Sequence, residues 1–125
     1  MKIFTLDEAN ELLITVRPML LQIQNYYASV AAFRESAQAA AVSAELGGGG
    51  MHGGSNYVHV LYELGKLTTE IHEIGVQLKD YTRGLIDFPC LRDGRIILLC
   101  WQMGDAEEIE WWHEVEDGFS GRKPL

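Results

Sequence analysis

Two apolar runs, residues 85–91 and 95–102, stand on either side of Asp93-Gly94, and no other stretch limits the fold as tightly. Both central positions of a type I′ turn need positive φ, which Gly adopts freely and Asp tolerates, so the dipeptide predicts a two-residue β-hairpin. Such a turn sets the register. With Arg92 facing Arg95, Cys90 lies opposite Ile97, Phe88 opposite Leu99 and Ile86 opposite Trp101, all on one face. The other face carries Leu85, Asp87, Pro89, Leu91, Ile96, Leu98 and Cys100, which is also too apolar to stand in water. The hairpin therefore needs a cover on both sides. Asp87 is conspicuous there, because an acid among apolar strand neighbours is costly unless it is paired or hydrogen-bonded. Arg83, Arg92, Arg95 and Arg122 are candidate partners, and a structural ion pair competes with a catalytic acid as the reason for the residue.

Before the hairpin the hydrophobic period is helical. Thr5-Leu6-Asp7-Glu8 reads as a capping box, in which the Thr5 hydroxyl accepts from the Glu8 amide while the Glu8 carboxylate accepts from the Thr5 amide. Ala9, Leu12, Leu13, Val16, Leu20, Ile23, Tyr27, Val30 and Phe33 then trace one apolar stripe, predicting a helix over 6–46. Pro18 lies inside it and predicts a kink or a break just before it. Residues 47–54 are mostly glycine and read as a flexible linker. Ser55 can cap a second helix over 55–74, with Tyr57, Val60, Leu61, Leu64, Leu67, Ile71 and Ile74 on its apolar face and Gly75 placed to stop it. At about 1.5 Å per residue the first helix overshoots the second by roughly 30 Å. That overhang needs cover from the C-terminal module or from another copy of the chain. Val76-Gln77-Leu78-Lys79 alternates like a strand, so a β-module is expected over 76–102. A short helix over 106–116 follows, with Trp111 and Trp112 as its apolar contribution.

At 125 residues with 47% apolar content, one domain with a small core is the natural size. The expected class is α+β, a long antiparallel helical hairpin followed by a small antiparallel β-meander and a short C-terminal helix. A formal charge of −8 disfavours nucleic acid and anionic membrane surfaces, and favours a basic protein, a cation or a small molecule as partner. The first residues, with Lys2 and then Asp7-Glu8 before any apolar run, do not read as a signal peptide, and no apolar run approaches a bilayer's thickness. Cys90 and Cys100 lack C-x-x-C spacing and fall on opposite faces of the hairpin, so they are expected to be free thiols in a cytoplasm.

Most familiar motifs fail on context. Gly48-Gly49-Gly50-Met51-His52-Gly53 fits the letters of a dinucleotide loop, but a helix precedes it where a strand is required. His72-Glu73 and His113-Glu114 lack the second histidine of a zinc protease helix, and no nucleophile-elbow serine occurs. The acidic run 105–117 is more suggestive. On a helix, Glu110 and His113 would have the E-x-x-H spacing that supplies half of a di-metal carboxylate site, making a divalent metal the one cofactor the sequence brings into view. A solvated acidic face with His113 bonded locally accounts for the same residues, as does a binding cleft that uses the tryptophans.

Several stretches together resemble the prokaryotic family called domain of unknown function 2203. They are Phe4-Thr5-Leu6 with Ala9, Gly75-Val76, Lys79-Asp80, Gly84-Leu85-Ile86-Asp87-Phe88-Pro89, Arg92-Asp93-Gly94-Arg95, Leu99-Cys100-Trp101, Gly104, Trp112-His113-Glu114, Gly118-Phe119, Gly121-Arg122 and Pro124-Leu125. The resemblance implies a helical hairpin with a compact signature module and supplies no activity. Among these residues Asp87, Trp101, Trp112, His113, Glu114 and Arg122 are the candidates for a ligand site, and the final acidic helix, lying over the second face of the hairpin, is expected to bring His113 to the Asp87 carboxylate with Arg122 as a charge partner. The leading expectation is an interaction or small-ligand-binding module that self-associates as a homo-oligomer. The alternative is a metal-dependent or acid/base enzyme using Asp87 and His113.

Overall fold

A computed structural model of the chain describes residues 1–45 and 54–125. The expected linker over 47–54 lies, apart from Gly54, outside the described residues. Helix α1 runs Leu6–Glu45 and α2 runs Gly54–Glu73. The capping box forms as the sequence predicts, with Thr5 N donating to Glu8 Oε1 at 2.9 Å and Glu8 N to Thr5 Oγ1 at 3.1 Å. The break expected at Pro18 does not occur, and α1 continues through it. Pro18 and Ile14, whose carbonyl loses its helical partner, are both exposed, so water can take that carbonyl and the flanking turns hold the helix.

The two helices run antiparallel. Phe33 stacks on Tyr57, and further back along α1 Tyr27 stacks on Tyr81, whose hydroxyl lies 3.5 Å from that of Thr68, further forward along α2. Gly75 ends α2 in a Schellman motif, with Val76 N donating to Ile71 O and Gly75 N to His72 O. Its φ of 95° and a Lys2 Cβ only 2.7 Å from where a side chain would begin both call for glycine. No described helix is long and apolar enough to cross a membrane.

Five antiparallel strands follow in meander order: β1 (Gln77–Asp80), β2 (Leu85–Arg92), β3 (Arg95–Gln102), β4 (Trp111–Glu114) and β5 (Lys123–Pro124). The central hairpin has the predicted register at every pair from Arg92↔Arg95 to Ile86↔Trp101, and Asp93 and Gly94 take φ values of 51° and 78°. Cys90 and Cys100 are unpaired thiols, as their opposite faces require. Ile86, Phe88, Leu99 and Trp101 pack against Ala9, Leu13, Val16, Leu20 and Ile23 of α1. The sheet of the same chain thus covers the overhang, with each large side chain so buried contributing about 1.5–3 kcal/mol. A backbone bond from Phe4 N to Pro89 O and the edge-on contact of Phe4 with Phe88 tie the N-terminus to this layer.

The α+β class holds, but the C-terminal helix does not form. Residues 111–114 are strand β4, and the helical structure beyond them is one 3₁₀ turn, Phe119–Gly121. The free edge of β3 decides this. Its backbone groups need partners, and β4 supplies them from Ile97↔Glu114 to Cys100↔Trp111. The aromatic pair Trp111-Trp112 also suits a pleated surface better than a helix.

The capping box predicts a specific response to acid. The Thr5 amide and hydroxyl hold the Glu8 carboxyl below its ordinary range, so its contribution is present above that range and is lost as pH falls through the lowered value. Glu8→Ala should therefore lower the melting temperature at neutral pH. The gap from wild type should shrink when both are melted below the carboxylate range.

Candidate functional site

The second face of the hairpin is where the site lies. The register sets Asp87 opposite Cys100 and Leu98 opposite His113, which places all four side chains on one face across β2, β3 and β4. His113 reaches over β3 to Asp87, with Nε2 and Oδ1 3.1 Å apart. Both residues are almost wholly out of water, at 3% and 2% exposure, so neither charge can be screened by solvent. His113 Nδ1 lies 2.7 Å from the Glu114 carbonyl oxygen. A carbonyl only accepts, so Nδ1 carries a hydrogen and donates it. The contact with Asp87 then needs one further proton, held either on Nε2 as imidazolium or on the carboxyl.

Burial pushes the Asp87 carboxyl above its ordinary range, and the attraction and hydrogen bond of His113 offset part of that push. Cys100 completes the group. Its sulfur, a carboxylate oxygen of Asp87 and a ring nitrogen of His113 all lie within 4.8 Å of one another, and all three residues are buried. Burial, reinforced by the negative charge of Asp87, pushes the Cys100 thiol up to about 12. Without a cation it is a thiol and not a thiolate.

Above this group opens a cleft of about 290 Å³. Leu85, Leu98 and Phe119 give it apolar walls, Asp87 and His113 lie at its floor, and exposed Lys79, Glu116 and Asp117 carry the charge around it. Arg83 packs on Phe119, 3.9 Å from its ring centre, and so does Arg122. The Arg122 guanidinium bonds Asp105 Oδ2 at 2.6 Å and lies 4.8 Å from the ring centres of both Trp111 and Phe119.

The candidates from the sequence separate into two groups. Asp87 and His113 meet, and Arg122 stands near them but pairs with Asp105 rather than with Asp87. Trp101 belongs to the opposite, core face, where its indole donates to Ala106 O at 2.9 Å. Trp112 faces the same way, between the cationic groups of Arg92 and Lys123, and Glu114 pairs with Arg95. The E-x-x-H pairing of Glu110 with His113 is not formed. It presupposes a helix, whereas Glu110 is exposed just before β4 and His113 is buried within it. Cys100, Lys79 and Phe119 were not among the candidates. The hairpin register already places Cys100 opposite Asp87, while Lys79 and Phe119 arrive from β1 and from the 3₁₀ turn, for which the sequence offers no spacing signal.

Fold and site together define an α+β protein in which a helical hairpin supports a five-stranded antiparallel meander with a buried Asp-Cys-His group on its far face. The chain belongs to the family described as uncharacterized conserved protein, DUF2203, whose sequence model matches residues 2–125. No curated protein and no solved structure matches the chain. The family indicates no specific role, and the expected alternative of a metal-dependent or acid/base enzyme using Asp87 and His113 gains no support from it.

Removing either member of the buried pair leaves the other without its partner. Asp87→Ala and His113→Ala should each destabilise the fold by about 1–3 kcal/mol in urea unfolding. The double variant should be less destabilised than the sum of the singles by about 1 kcal/mol or more. Strict additivity would show that the two side chains do not interact.

Proposed function

We propose that this protein is a non-enzymatic interaction module that binds a small molecule in the cleft above Asp87 and His113. The observation that carries this reading is a pair of buried hydrogen-bonding groups at the floor of an apolar-walled concavity, the usual construction of a small-ligand site. The volume suits a compact molecule. The Asp87–His113 pair with its shared proton is net neutral, and Glu116 and Asp117 outnumber Lys79 around it, so a neutral or cationic ligand is favoured over an anion. Unpaired Cys90 and Cys100 support a cytoplasmic setting, in which thiols stay reduced. A panel of small amines, alcohols and carboxylic acids titrated into methyl-labelled protein tests the ligand reading. Amines or alcohols should shift the Leu85 and Leu98 methyl resonances saturably, and carboxylic acids should not. Shifts confined to other parts of the molecule would refute it.

Self-association through the helices has its own support. Val58, Leu61 and Tyr62 are 65%, 40% and 67% exposed, and their spacing of three and four residues aligns them along one side of α2. A second copy presenting the same stripe is the proposed partner. Light scattering at micromolar concentration should give a dimer mass for the wild type and a monomer mass for Val58→Glu/Tyr62→Glu. A monomer mass for the wild type would end this part of the reading.

A further inference from the structure

Three chemically different donors converge beneath the cleft, a carboxylate oxygen, a thiol sulfur and an imidazole nitrogen, and these are the ligand types that zinc-class ions prefer. We infer that Asp87, Cys100 and His113 form a three-ligand site for a divalent transition-metal ion of the zinc class, in which the ion replaces the proton shared by Asp87 and His113. This deepens the cleft reading by naming what lies at its floor, but metal binding requires no small molecule to enter.

Geometry is the first support. A tetrahedral ion bonded at about 2.0–2.3 Å to oxygen, nitrogen and sulfur holds those atoms about 3.4–3.6 Å apart. The three donors lie within 4.8 Å of one another, and Nε2 and Oδ1 are 3.1 Å apart. Loading therefore needs the donors to shift by about 1 Å. Orientation is the second. The donation from His113 Nδ1 to the Glu114 carbonyl at 2.7 Å selects the tautomer whose Nε2 lone pair faces Asp87 and Cys100, and an outer-shell bond of this kind typically aims a metal-bound histidine.

Charge is the third. A carboxylate and a thiolate carry two negative charges and neutral histidine none, so a divalent ion brings the buried group to neutrality. Loading displaces two protons, the one between Asp87 and His113 and the one on Cys100. Three protein ligands leave a fourth position, the coordination pattern of sites that keep a place for water or an exogenous group. A sulfur ligand also disfavours magnesium and calcium, which take oxygen donors. Among the described residues, this is the group of three placed to hold an ion.

Cobalt(II) is the probe, because a thiolate-to-cobalt charge-transfer band reports sulfur ligation directly. The full-length chain, stripped with chelator and kept reduced, should bind one equivalent of Co²⁺ with that band and with the visible bands of a tetrahedral ion. Zn²⁺ should displace it and excess Mg²⁺ should not. Cys90→Ser should keep the band, since Cys100 is then the only thiol, and this variant alters no side chain of the site. His113→Ala should weaken binding at least about tenfold. No charge-transfer band in the wild type, loss of the band in Cys90→Ser, or displacement by Mg²⁺ would each overturn the site. Fragment-induced shifts of Leu85 and Leu98 without such a band would reject the metal and keep the cleft. The band without those shifts would do the reverse.

Discussion

Pairing of β2 with β3 is the constraint on which the rest of this molecule depends, because a slip of one residue would exchange the two faces of the hairpin. In the observed register Phe88, Leu99 and Trp101 meet α1, while Asp87 and Leu98 line the cleft and Cys100 lies on their face of the sheet, opposite Asp87. A slipped pairing would drive Asp87 toward the helix and leave Phe88 outside. The Asp93-Gly94 turn opposes this, since its two positive-φ residues form the two-residue connection that sets the observed register.

Because both faces of the hairpin are apolar, each recruits a different part of the chain. The N-terminal half of α1 covers one, which explains how a helix of 40 residues can accompany one of 20 without leaving its stripe in water. On the other face the cover is thinner. His113 and Trp111 widen that face within the sheet, and Phe119 and its neighbours cross over it, packed against Arg83 and Arg122. A thin cover leaves a cleft. The fold therefore creates a concavity above its most polar buried residues, and the rigidity of three adjacent strands holds Asp87, Cys100 and His113 in fixed relation.

The electrostatics of that group follow from position. An acid 2% exposed has little water to stabilise its charge, and the histidine two strands away is what offsets the penalty. Cys100 stands in the same dry field with a negative neighbour, so its thiol proton is held firmly until a cation enters. Histidine and cysteine here lie far apart in sequence, on the same face of neighbouring strands. Such a site has no short motif to read, unlike helical metal ligands that recur at fixed spacing.

Local chemistry was readable in the sequence wherever one segment decides its own conformation. The Thr5/Glu8 box, the Gly75 stop, the two-residue turn and the opposition of Asp87 to Cys100 all rest on side chains within a few residues of the backbone they direct, or on a turn that sets a register. The fate of residues 106–116 was not readable in that way. Glu110 and His113 have helical spacing, yet the unpaired edge of β3 draws Trp111–Glu114 into a strand, because backbone groups at a sheet edge gain more from pairing than a short acidic helix gains from its own turns. That choice sends Glu110 to solvent, turns His113 inward and brings it to Asp87. The sequence by itself determined that Asp87 would be buried and need a partner, and it put His113 forward as that partner; only the tertiary structure decided that His113 arrives on a strand, not a helix, with Cys100 beside it, because the contact spans three strands and arises from pairing rather than from any local spacing.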